Sequence, residues 1–260
     1  MNNKLKNKRI VITGASSGIG ERIAWHVAQG GGIPILIARR KEKLEELVAN
    51  LSVQGFWYTC DLADPEHIRT TFHSIFQDHG QIDVLVNNAG FGVFESVSDT
   101  DMNAFHSMFD VNVLGLIQCV KEVLPRMMEQ NHGHIVNIAS LAGKMSTPKS
   151  AGYASTKHAV IGFTNALRLE MSSYHIFVTG VNLGPVRTSF FDTADPGGEY
   201  KASVERYMLD PNHVASRIVS HLFTSKREIN MPSWMEAGAK LYQLMPGVME
   251  KVFRSQFSKK

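Results

Sequence analysis

The sequence predicts an α/β fold: a doubly wound, mostly parallel seven-stranded sheet with helices on both faces. Three observations carry that expectation. Seven short apolar runs recur along the chain, rich in Val and Ile and without polar alternation, which is the pattern of strands buried on both faces. Longer amphipathic stretches separate them, and repeated strand–helix alternation leaves a parallel sheet covered by helices. The 260 residues, 43% of them apolar, suffice for a substantial core without disulfide or metal support.

In chain order the expected strands are 9–13, 33–38, 56–60, 84–86, 134–138, 177–183 and a weaker 229–232. The expected helices are 21–29, 41–51, 65–78, 101–130, 153–173 and 211–224. Asp64-Pro65 and Asp210-Pro211 mark two helix starts, with Asp as cap and Pro at the first helical position. Two stretches break the rhythm. Residues 188–205, with Phe190, Phe191 and Tyr200 around Asp195-Pro196-Gly197-Gly198, read as a mobile aromatic loop near the strand ends. Residues 233–260 read as an amphipathic extension of a single domain spanning 1–260, since no repeat or Pro/Ser-rich linker divides the chain.

Composition excludes several classes. A net charge of +3 is too mild for a nucleic-acid partner. Two cysteines, Cys60 and Cys119, cannot build a disulfide framework or a cysteine-ligated zinc site, and fit reduced thiols in the cytoplasm. No run approaches the ~18 apolar residues of a spanning helix. The basic N-terminus is followed by VITGASSGIG, whose glycines and serines cut off a signal-peptide core. His132-Gly133-His134 is the nearest approach to a metal pattern, but no acidic or cysteine partner accompanies it and no metal is expected.

Chemistry enters at the first strand–helix junction. Ile10-Val11-Ile12 leads into Thr13-Gly14-Ala15-Ser16-Ser17-Gly18-Ile19-Gly20. Glycines at 14, 18 and 20 let backbone approach a pyrophosphate, and the N–H groups opening the next helix hold the anion. No Lys-Ser/Thr pair follows, so this is not a nucleoside-triphosphate loop. At the end of the second strand, where a carboxylate would read a ribose 2′-hydroxyl, stand Ala38, Arg39 and Arg40. A guanidinium fork matches a 2′-phosphate, which points to NADP(H).

Thr13-Gly14-x-x-x-Gly18-x-Gly20, Asp61, Asn87-Asn88-Ala89-Gly90, Asn112, Ser140 and Tyr153-x-x-x-Lys157 occur in the order and spacing of the short-chain dehydrogenase/reductases. The chain resembles that family from about Lys8 to Pro232, which implies a Rossmann-type fold. Tyr153 and Lys157 share a helix face, and an ammonium beside a phenol favours the phenolate, so Tyr153 is placed to move a proton to or from a substrate oxygen. Ser140 would hydrogen-bond that oxygen. The resemblance further implies Lys157 on the nicotinamide ribose and Asn112 holding a relay water. It puts Asp61 with Leu62 at the adenine, Asn88, Ala89 and Gly90 at the adenosine ribose, and Val186 and Thr188 at the carboxamide. Ser16, Ser17 and Ile19 fall in the phosphate turn. One departure is Leu183-Gly184, where the family has Pro-Gly.

The expected substrate lining is Phe91, Gly92, Val93, Phe94, Leu141, Ala142, Met145, Phe190 and Phe191, with Arg187 the one available cation; this suits a small hydrophobic carbonyl or alcohol. A 3-oxoacyl-(acyl carrier protein) reductase is the alternative within the family, disfavoured because the carrier-docking arginines correspond to Asn131 and Tyr174. A non-catalytic NADP(H)-sensing scaffold is the alternative outside it. A homodimer or homotetramer built on the long helices is implied by resemblance only. Beyond Trp234, the stripe Leu241, Leu244, Met245, Val248, Met249, Val252 and Phe253 is broken at Pro246-Gly247, which predicts two short helices or a kink; Lys240, Lys251 and Arg254 lie opposite. That stripe has three readings: packing on its own domain, on a partner copy, or on a membrane surface.

Overall fold

Runs of β-branched residues become strands whose alternate side chains serve two cores. In the computed structural model, which describes residues 3–252, Ile10 and Ile12 enter one apolar layer and Val11 the other. The strands are β1 (Arg9–Thr13), β2 (Ile33–Ala38), β3 (Phe56–Thr59), β4 (Val84–Asn87), β5 (Gly133–Ile138), β6 (Ile176–Leu183) and β7 (Glu228–Met231). Their order is β3-β2-β1-β4-β5-β6-β7, and every pairing is parallel. The winding reverses between β1 and β4, so the crevice at the C-terminal ends of those two strands is where such sheets bind ligands.

On one face pack α1 (Gly18–Gln29), α2 (Lys41–Asn50) and, later in the chain, the helix Pro211–Ser220. On the other lie α3 (Pro65–His79) and the helices Leu116–Glu129 and Ala151–Glu170. Asp64 accepts from the N–H groups of Glu66 and His67, and Asp210 from that of His213, so both predicted caps form.

Two expectations change. The stretch 101–130 is not one helix: α4 (Met102–Phe109) runs through a π-helical stretch, Asp110–Gly115, into α5 (Leu116–Glu129). The segment carrying Leu62 presses on the wide turn, and a Cβ at Gly115 would run into the Leu62 carbonyl. After α6 (Ala151–Glu170), residues 188–205 are not an irregular loop but two short helices, α7 (Phe190–Ala194) and α8 (Glu199–Val204). Aromatic packing holds them: the Phe94 ring meets Tyr200 at 4.9 Å and Phe190 at 6.2 Å. Beyond α9 (Pro211–Ser220) and β7, the tail forms α10 (Ser233–Leu244) and α11 (Pro246–Val252), broken at Pro246 as predicted. Most of its stripe is left open by its own fold: Leu244 is 80% and Val252 66% exposed, and Leu241, Met245 and Val248 are exposed as well, whereas Met249 is half-buried. Phe253 and Arg254 lie outside the described residues. Among the described residues no helix is long and apolar enough to cross a membrane.

Candidate active site

The glycine turn, where sequence expects a phosphate, is built by locking two strand ends together. Thr13 Oγ1 accepts from the Asn88 and Ala89 N–H groups at 3.0 and 3.1 Å, while Asn88 Nδ2 donates to Thr13 O at 2.9 Å. Gly14 and Gly18 have φ of +65° and +60°, a region other residues enter only under strain. A Cβ on Gly14 would also lie 2.7 Å from Ala89 Cα. Gly20 faces inward, where a Cβ would come within 2.6 Å of Asn88 Nδ2, so it seats α1 and does not line the cavity. Ser17 at the α1 N-cap makes no side-chain cap bond, so the first-turn amides remain an anion cradle.

Around this cradle runs a cavity of about 890 Å³. Gly14, Ser16, Ser17, Gly18, Ile19, Arg39, Arg40, Asp61, Leu62, Asn88, Ala89, Gly90, Val186 and Thr188 all line it. Arg40 donates to Ser16 Oγ and Ser17 Oγ, both at 2.9 Å, tying the turn to the end of β2. Arg39 is exposed and has no partner among the described residues.

The inner end carries the reactive groups. Ser140, just past β5, accepts from Ala142 N–H at 3.1 Å and donates to Leu183 O at 3.2 Å. Tyr153 and Lys157 sit on the first turns of α6, with Lys157 Nζ 5.6 Å from the Tyr153 ring centre. Lys157 is buried and donates to Ile138 O at 3.0 Å. Burial lowers its ammonium to a pKa of about 8. Sequence logic expects the neighbouring ammonium to lower the Tyr153 phenol; here burial raises it, a hydrogen bond with Ser140 opposes the rise, and Tyr200 adds to it. Asn112 stands in the π-helical stretch behind the cavity wall. Its carboxamide accepts from Phe91 N–H at 3.0 Å and donates to Phe91 O and Thr156 Oγ1, pinning the turn after β4.

At the substrate end Phe91, Phe94, Leu141, Ala142, Met145, Phe190 and Phe191 line the cavity, as expected. Gly92 and Val93 do not; a Cβ on Gly92 would press against the Tyr153 ring at 3.0 Å and the Phe190 ring at 3.1 Å. Arg187 is exposed and outside the lining. Sequence reasoning missed the tail as a wall: Trp234, Met235, Gly238 and Met249 close this end, with Tyr200 and Val204. It also missed Lys144, whose ammonium donates to Glu228 at 2.7 Å and to Glu236 at 3.1 Å. Gly184 makes room for that tail, since a Cβ there would lie 2.8 Å from Met235 Sδ.

His134 is a core residue. It bonds Thr179 Oγ1 and Phe223 N–H, and burial lowers its pKa to about 3. No group of three or more His, Cys, Asp or Glu among the described residues is arranged to hold a metal.

The short chain dehydrogenase family matches residues 8–197, and this chain belongs to that family of oxidoreductases. Among its relatives is dehydrogenase/reductase SDR family member 7B of Mus musculus, 33% identical over a 274-residue alignment covering 98% of this chain and 83% of that protein. A short-chain dehydrogenase from Streptomyces avermitilis has the same fold, with a TM-score of 0.83 at 25% identity over 98% of each chain. The closed form of a serine dehydrogenase complexed with NADP+ gives 0.79 at 30% identity, over 86% of this chain and 94% of that one.

Proposed function

We propose that this chain is an NADP(H)-dependent oxidoreductase of a hydrophobic carbonyl or alcohol, with Tyr153 as general acid/base. The reading is carried by the convergence of Ser140, Tyr153 and Lys157 where a glycine-walled anion cradle meets an aromatic recess. The open amides of α1 and the clash-free approach at Gly14 suit a dinucleotide pyrophosphate, held with Ser16, Ser17, Gly18 and Ile19. Asp61, Leu62, Asn88, Ala89 and Gly90 would hold the adenosine, Val186 and Thr188 the carboxamide, and Tyr153 and Lys157 the second ribose. Arg39, unpartnered, and Arg40 favour a 2′-phosphate, and the NADP+-bound relative supports that preference.

When bound, the nicotinamide supplies or takes up the hydride. In reduction, the Tyr153 hydroxyl donates its proton to the substrate oxygen while the Ser140 hydroxyl, turning away from Leu183 O, donates a hydrogen bond to it. Burial keeps Tyr153 protonated, as an acid requires. Cationic Lys157 beside the ring stabilises the phenolate left behind. Asn112 Oδ1 retains a second lone pair beyond the one given to Phe91, enough for a relay water.

The test is oxidation of NADPH and NADH with aldehydes, ketones, 3-oxoacyl thioesters and oxo-steroids, using wild type and Tyr153→Phe. NADPH-selective turnover lost in the variant is expected. Turnover retained by Tyr153→Phe removes the proton-transfer assignment, and tight NADPH binding without any turnover favours a sensing scaffold. A carrier-protein substrate is the weaker option, because Asn131 is neutral and accepts from His175 N–H. A cytoplasmic homo-oligomer joined through the helical stretch 101–130 and α6 fits the exposed Leu114 and Leu169 and the buried free thiols. The exposed Leu244, Val248 and Val252, with Lys240 and Lys251, also suit peripheral contact with an anionic membrane. Unchanged liposome binding after Leu244→Glu with Val248→Glu rejects that contact.

A further inference from the structure

The inner face of α10 has no part in the chemistry above. Trp234, Met235 and Gly238 lie at positions i, i+1 and i+4, on one side of the helix, and line the far end of the cavity with Met249 of α11 and Val204 of α8. The helix is anchored from its other side. Glu236, 7% exposed, shares the Lys144 ammonium with Glu228 of β7. Gln243 Nε2 adds a bond to Lys144 O at 3.2 Å. Lys240, on the exposed side of the helix, also reaches Glu236 at 3.3 Å, but Lys144 is the member that joins α10 to another element, so this pairing fixes where α10 sits against the turn that follows Ser140.

Gly238 is a gap in this wall. It is half-buried, it lines the cavity, and a Cβ there would meet no atom within 4 Å. Glycine is the poorest helix former after proline, and no packed neighbour requires its smallness here. Gly152 in α6 is different: a Cβ there would meet Met108 Cε at 2.5 Å. Met235 and Met249 flank the gap with flexible apolar side chains that adapt to an unbranched chain. The carboxylate that α7 contributes to the lining, Asp192, is paired with Lys201.

We infer that α10 is the length gauge of the substrate site and that the space at Gly238 receives the aliphatic end of an elongated, unbranched carbonyl compound or alcohol. This names the substrate class of the site proposed above and rests on that reading. The probe is a series of straight-chain alkanals and 2-alkanones, from roughly four to twelve carbons. In wild type, kcat/KM and binding affinity rise about 3- to 4-fold per methylene until the recess is filled. In Gly238→Phe the rise stops several carbons earlier; the longest members lose about 10-fold or more and the shortest stay within about 2-fold. Met235→Ala moves the limit towards longer chains and keeps the test available if the Phe variant fails to fold. Calorimetric binding to the NADP+-loaded protein separates the two readings. A truncated length profile in binding without any turnover sustains the gauge and defeats the oxidoreductase reading. Turnover with the same length profile in wild type and both variants overturns the gauge alone.

Discussion

The two ends of the cavity are held by different physics. The end we propose for the phosphates is backbone: positive-φ glycines, a threonine bridging two strand ends, and helix amides, with Gly14 and Gly20 fixed to within a methyl group of their neighbours. The substrate end is side chains brought from far apart: Phe94, Phe190 and Tyr200 packed on one another, and a tail helix fixed by a lysine 92 positions upstream. An anion cradle tolerates almost no change, whereas a wall of packed side chains exchanges one residue for another at modest cost.

The largest expected effect lies where the two ends meet. Tyr153→Phe should lower kcat by about 10²- to 10⁴-fold with NADPH affinity nearly unchanged; a fall in affinity instead would make Tyr153 chiefly a binding residue. In wild type, reduction should decline as pH rises through about 8, where Lys157 loses its charge, and a pH-independent rate across that range would detach Lys157 from the step. Next comes the tail anchor. Lys144→Met leaves Glu236 with only the exposed Lys240 and Glu228 with only amide donors, and should cost about 2 kcal/mol of stability; urea denaturation showing less than about 1 kcal/mol would mean that α10 is held by its apolar contacts. A glycine pair tests the contrast itself. Gly14→Ala, at φ +65° and 2.7 Å from Ala89 Cα, should destabilise by about 2 kcal/mol and weaken NADPH binding. Gly238→Ala should be neutral or stabilise by up to about 1 kcal/mol, and equal effects at the two positions would erase the distinction. Arg39→Asp should cut the preference for NADPH over NADH by about 10-fold or more. An unchanged ratio would transfer the phosphate to Arg40.

Acid will find a separate weakness. Burial depresses His134, so its contribution is present above the unfolded value near 6.5 and is lost as pH falls towards about 3. Glu228 adds to the same trend. Burial alone would raise it, but hydrogen bonds from Lys144 and Asn230 hold it below its ordinary value, and that stabilisation disappears on protonation.

Most of the fold was legible because it is local. Val84-Leu85-Val86 reads as a buried strand and Asp64-Pro65 as a helix start from their own residues, and both form as read. The Gly14–Gly20 turn and the Tyr153–Lys157 spacing were equally local, so the glycine turn and the grouping of Ser140, Tyr153 and Lys157 at one cavity were legible in the sequence. The π-helical stretch around Asn112 was not, since what packs against its end at Gly115 is the Leu62 backbone, fifty residues upstream. Residues 188–205 read as loop because Pro196-Gly197-Gly198 dominates the local signal, whereas the Phe94 ring that organises them lies elsewhere in the chain. Lys144 was invisible for the same reason. A lysine after Ser140 looks solvated until Glu228 and Glu236 arrive from the other end of the chain.

Gly184 belongs to both ends at once. Its N–H donates to Met231 O at 2.7 Å, continuing the β6–β7 pairing beside the loop of Val186 and Thr188, and its missing side chain is the space Met235 fills. Room for the tail and the run of chain into that loop therefore meet at one absent methyl group, so a change at position 184 is felt on both sides of the strand end.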